Sequence, residues 1–147
     1  MMAERDVVAP ATDSERQWAA MAHIAALVLA LLTTWFAGFA GMLGAGAIYL
    51  MKRDASPFVA GHAREAFNFN VSMFIYALVA IAIGIALGVF TVVTLGVGLL
   101  LTAPAALVLL LACGAVALLW LVCSIIAAAK AWNGEAYRYP LTLRLLD

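Results

Sequence analysis

Ionisable residues fall into three short islands, and the apolar runs between them set the elements. Glu4, Arg5, Asp6, Asp13, Glu15 and Arg16 form the first island; Lys52, Arg53, Asp54, Arg64 and Glu65 the second; Lys130, Glu135, Arg138, Arg144 and Asp147 the third. The runs between them, Gln17–Met51 and Ala66–Ala129, hold no Asp, Glu, Lys or Arg over 35 and 64 residues. A helix needs about 20 apolar residues to cross a bilayer, so the longer run predicts two crossings. The turn between them falls on Thr94, Gly96, Gly98, Thr102 and Pro104, residue types that break helices. As one helix the shorter run would reach about 52 Å, well beyond the hydrocarbon core. It predicts two short helices instead, or a re-entrant hairpin, turning near Thr33–Gly41.

The expected elements are helices at about 13–34, 38–51, 57–93 and 105–132, in a single membrane domain covering 1–147. Residues 1–12 read as a flexible N-terminal segment and 133–147 as an interfacial C-terminal tail. Thr12 with Glu15 has capping-box spacing, in which hydroxyl and carboxylate each take an orphan backbone N–H. Ser56 before Pro57 gives a second helix start, a hydroxyl cap followed by proline at the first helical position. Asn133-Gly134 supplies the left-handed residue that ends the last helix.

With four crossings, all 8 Lys and Arg lie on one face of the membrane, which the positive-inside rule makes the cytoplasmic face and places both termini there. Trp35, Phe36 and Phe39 then mark the far interface, and Trp132, Tyr137 and Tyr139 the near one. The first run is not expected to be a cleaved signal peptide, because its flank is net acidic and its apolar run is too long. Composition agrees: 67% hydrophobic against 11% charged residues cannot cover a water-facing surface. A net charge of zero gives no electrostatic case for a nucleic-acid partner.

The chemistry-bearing residues concentrate where the third helix begins. At 100° per residue, Glu65, Asn68, Ser72 and Tyr76 fall within about 80° of one another, making one polar stripe. Arg64 flanks it, and His23 of the first helix is placed to meet it. Polar groups are costly against lipid, so the stripe faces protein or water. Two readings stand: a polar vestibule or substrate groove, or a hydrogen-bonded clamp between the first three helices. An unperturbed imidazole titrates near neutrality, but with no acidic partner deep in the membrane His23 and His62 make a poor proton relay. They read instead as a packed and an interfacial histidine. Gly84 and Gly88, extended by Ala80, have the spacing that lets helix backbones approach closely, within the chain or between copies. Ala37, Gly41 and Ala45 make a similar stripe. Cys113 and Cys123 lie about 15 Å apart along one helix and cannot bridge each other. No metal-ligand set, cofactor fingerprint or nucleophile motif is present, so no catalytic, metal or cofactor residue is assigned. Ser72 or Ser124 with His23 lacks the orienting acid and oxyanion hole of a hydrolase.

Three segments carry a family resemblance: the AMAHIAALV run around His23, Tyr49–Ser72, and the YRYPLTLRLL run from Tyr137 to Leu146. They resemble a bacterial domain-of-unknown-function family grouped with Tic-twenty-like membrane proteins, named for a chloroplast import component. The resemblance implies about four transmembrane segments with termini on one side, and no catalysis. The expected function is a non-enzymatic scaffold or subunit of an inner-membrane assembly. Its partners would be the lipid bilayer and a second copy or other membrane proteins. The rival is a channel or carrier for ions, small solutes or peptides, lined by Glu65, Asn68, Ser72 and His23.

Overall fold

The computed structural model describes residues 10–33 and 39–146. The described residues are all-helical, with no strand. The helices are α1 (Asp13–Leu32), α2 (Phe39–Lys52), α3 (Pro57–Val93) and α4 (Leu99–Trp132). The expected N-terminal segment up to Ala9, most of the first turn, Ala37 and Asp147 lie outside the described residues. α3 and α4 are each long and apolar enough to cross a membrane.

Local chemistry explains the helix starts. Glu15 Oε2 accepts from the backbone N–H (2.8 Å) and hydroxyl (2.9 Å) of Thr12, and Thr12 Oγ1 accepts the Glu15 N–H. Glu15's other oxygen accepts from the Ser56 hydroxyl at 2.6 Å. Ser56 itself caps α3 by accepting the Val59 N–H, so one carboxylate ties the two helix starts together. α4 starts at Leu99, six residues before the expected Ala105. The turn closes within Thr94–Gly98 because Leu95 (φ 51°) and Gly96 (φ 86°) both take left-handed backbone. The Thr94 hydroxyl also donates to the Phe90 carbonyl and accepts the Gly98 N–H. Thr102 and Pro104 therefore lie inside the helix rather than in the turn.

Packing rests on small side chains, as expected where lipid and protein are equally apolar. Ala22 packs with Ile48, Val59 and Ala63, while Ala26, Ala45 and Ala66 form a second contact. At Gly41 a Cβ would meet the Ala26 carbonyl oxygen and Asn70 Oδ1, each at 2.6 Å. That glycine lets α2 lie close against both α1 and α3.

Burial divides the bundle lengthwise. Every buried residue of α3 lies between Val59 and Met73, and from Ala77 to Leu118 only Gly98 and Thr102 are buried. The Phe39 ring of α2 meets Phe74. The described residues thus form a four-helix body at one end and a two-helix arm at the other. Gly84 and Gly88 sit on this arm with nothing within 4 Å of a built Cβ. Among the described residues no helix packs against their Cβ positions, although Ala80 lines the groove between α3 and α4.

Candidate functional site

After Gly134 (φ 78°) the chain leaves α4 without regular structure and folds back along α3 as a hairpin with its tip at Pro140–Leu141. The polar stripe is what it lands on. Glu65 Oε2 accepts the Tyr139 N–H at 3.2 Å, and Tyr76 donates its hydroxyl to the Leu141 carbonyl at 2.7 Å. Ser72 Oγ accepts the Leu143 N–H at 2.8 Å and donates to the Asn68 carbonyl. Asn68 uses both ends of its amide. Oδ1 accepts the N–H groups of Leu145 (3.2 Å) and Leu146 (3.0 Å), while Nδ2 donates to the Leu146 carbonyl at 2.9 Å. Asn68 and Ser72 are fully buried. Arg144 pairs with Glu65 Oε1 at 3.5 Å.

The physical reason lies in the tail's sequence. Leu141, Leu143 and Leu145 face outward, so this strand-like segment suits an apolar setting. Non-helical backbone in such a setting must find internal partners, and four α3 side chains one turn apart provide them. A side-chain rail replaces the hydrogen bonds that a neighbouring strand would give.

The second half of the site is a buried chain of rings. Tyr139 stacks on Phe69, with ring centroids 3.9 Å apart. Its hydroxyl lies 2.9 Å from His23 Nδ1, and His23 Nε2 lies 2.9 Å from His62 Nδ1. His23 is 1% exposed. His62 Nε2 is buried and has no hydrogen-bond partner among the described residues. Tyr139 and the two imidazoles thus form one continuous buried hydrogen-bonded chain, whose donor and acceptor ends follow the histidine tautomers. Burial raises the Tyr139 phenol well above its ordinary value, which keeps the phenol neutral.

The sequence-derived residues therefore divide. Glu65, Asn68, Ser72 and Tyr76 meet the tail, and His23 meets Tyr139 and His62 rather than the stripe itself. Arg64 is half-buried and makes no ion pair among the described residues. A groove of about 480 Å³ between α1, α3 and α4 is lined by apolar groups such as Met73, Cys113 and Trp120, with Tyr76 at its edge. The polar groups assigned to a channel are taken up by the tail and by each other, so the channel expectation gains no support. Among the described residues no cluster of three or more His, Cys, Asp or Glu is placed to hold a metal ion.

Sequence reasoning did not connect the stripe with Tyr139 and the tail backbone. The available signal was the alternating run Leu141-Thr142-Leu143-Arg144-Leu145, too short for a helix and too apolar to be left in water.

A protein-family model described as the magnetosome magnetite crystal formation protein family matches residues 14–146. The chain belongs to this MamF/MmsF family. The match takes in all four helices and the docked tail, so the whole latch lies within the MamF/MmsF unit. No curated protein and no solved structure matches the chain. The resemblance to Tic-twenty-like proteins is overturned by this family match. Residues of those segments, His23, Glu65, Asn68, Ser72 and Tyr139 among them, make the contacts of the docked tail in this MamF/MmsF chain.

Proposed function

We propose that this chain is a non-enzymatic structural subunit of the magnetosome membrane, and that its latched body is a scaffold for magnetite crystal formation. The observation that carries the reading is the use of the stripe: Glu65, Asn68, Ser72 and Tyr76 are spent on the chain's own tail. Rigidity at one membrane face, with no open polar path, suits a scaffold that holds other membrane proteins or a second copy in register. The family name supplies the setting. The charge pattern supplies the orientation, a multi-pass chain with both termini cytoplasmic.

The test is complementation in a magnetite-forming host that lacks the native protein. Wild type restores crystal size, whereas the combined Asn68→Leu and Ser72→Ala variant inserts in the membrane and leaves crystals small. Full-sized crystals from the latch-broken variant would remove the latch from the function. Oxidation or reduction of iron by the purified chain would overturn the non-enzymatic part.

A further inference from the structure

The two ends of the molecule differ in width within the apolar layer. At the end holding the α1 start and the α4 end, four helices and the docked tail lie side by side. On α1 the groove reaches Ala30 and Leu31, opposite α3 residues no further along than Ile83, and α2 begins beside Phe74. Beyond that level, from Ile83 to Val93, the described residues leave α3 and α4 alone for roughly 15 Å, at 1.5 Å per residue. With helices about 10–12 Å across, the cross-section falls to about half.

Two independent observations assign lipid as the arm's surroundings. The α3–turn–α4 hairpin holds no charged residue between Ala66 and Ala129. Its hydroxyls are satisfied internally: Thr91 donates to the Leu87 carbonyl or meets Thr102 at 2.7 Å, and Thr94 bonds Phe90 and Gly98. Closure of every polar side chain but a thiol is what hydrocarbon demands of a segment immersed in it.

We infer that the chain is a wedge that partitions into curved membrane, favouring bilayers whose termini-bearing leaflet is convex. On bending, the convex leaflet gains area per lipid at the headgroup level and the concave leaflet loses it. A protein wide in the first and narrow in the second occupies the gained area and leaves the crowded leaflet nearly free. The inference rests on the membrane reading of the bundle and not on its part in crystal formation. The lipid surface it recognises is defined by shape rather than by headgroup.

The experiment uses the full-length protein in giant vesicles, checked for insertion by carbonate resistance. That check separates failure to sort from failure to insert. Molecules with termini outward are labelled by an impermeant dye on an N-terminal tag, and a narrow tether is pulled outward. The expected result is enrichment over a lipid dye of roughly twofold, equivalent to about 0.4 kcal/mol as RT ln 2, rising as the tether narrows. Equal density at every tether radius, or depletion, overturns the wedge. Pairing of two arms through Gly84 and Gly88 would equalise the two ends, so it too would read as equal density.

Discussion

Replacing Tyr139 by Phe removes one oxygen and leaves His23 Nδ1 buried without its partner. The stacking on Phe69 survives, so the change isolates the hydroxyl's bonds to His23 and Ser124. An orphaned buried polar group costs about 1–3 kcal/mol in proteins generally, and side-chain hydrogen bonds in membranes sit nearer the lower end. Tyr139→Phe is expected to destabilise by about 1 kcal/mol in reversible detergent unfolding, with Tyr137→Phe well below it. Equal effects would mean that the His23 contact is not what holds the tail. Glu15 gives a test on the water side, ahead of the charge-free run. The Ser56 hydroxyl first, then the backbone N–H and hydroxyl of Thr12, hold its carboxyl below the ordinary 4.5. A lowered carboxyl contributes stability that is fully present above the unfolded value and is lost as pH falls through the folded one. The tie between the α1 and α3 starts should therefore weaken on acidification below about pH 4.5. Ser56→Ala should move the Glu15 midpoint upward in a carboxylate-carbon NMR titration, and an unmoved midpoint would show that the Ser56 bond is not made in solution.

Between elements, the two glycine stripes that look alike in sequence have opposite structural settings. At Gly41 a methyl group would press on the Ala26 carbonyl and the Asn70 side chain at 2.6 Å, whereas at Gly84 it would meet nothing within 4 Å. Overpacking a tight contact costs about 1–3 kcal/mol, while Gly→Ala in an open helix gains up to about 1 kcal/mol of propensity. Gly41→Ala is expected to lower the unfolding midpoint and Gly84→Ala to hold or raise it. Similar losses at both positions would point to a partner on the arm. The contrast shows what the sequence carried. The starts of α1 and α3 were legible because Thr12, Glu15, Ser56 and Pro57 act on backbone groups within three residues. The α4 start was not, because Pro104 reads as a break although a long membrane helix tolerates the loss of one hydrogen bond. The stripe was legible from helical periodicity, since Glu65 to Tyr76 share one face. Its occupant was not, because the bonded partners lie 65 to 78 residues away in the chain, in a tail whose irregular backbone has no period to read.

For the molecule as a whole, sidedness follows from helix order and does not depend on how deeply the first hairpin penetrates. Lys52 at the end of α2 lies over the Trp18 ring near the start of α1, and Glu15 bonds Ser56 just before α3. The α1 start, the α2 end and the α3 start therefore share one level. The C-terminal tail returns to Glu65 and Asn68 on that same end. A complete crossing by α1 and α2, or a re-entrant loop, would give the same result: the α1 start and the α4 end on one side and the Thr94–Gly98 turn on the other. All 8 Lys and Arg precede or follow the arm, and the positive-inside rule would place that end in the cytoplasm. With Cys113 and Cys123 replaced by Ala, Arg53→Cys should react with an impermeant maleimide only from the cytoplasmic side of sealed membrane vesicles. Leu95→Cys, at the exposed tip of the turn, should react only from the opposite side. Labelling of both from one side would mean that the α3–α4 hairpin does not cross. The body, latch and arm would then have to lie on a single face, where the arm's bare leucines and valines would have no lipid interior to enter.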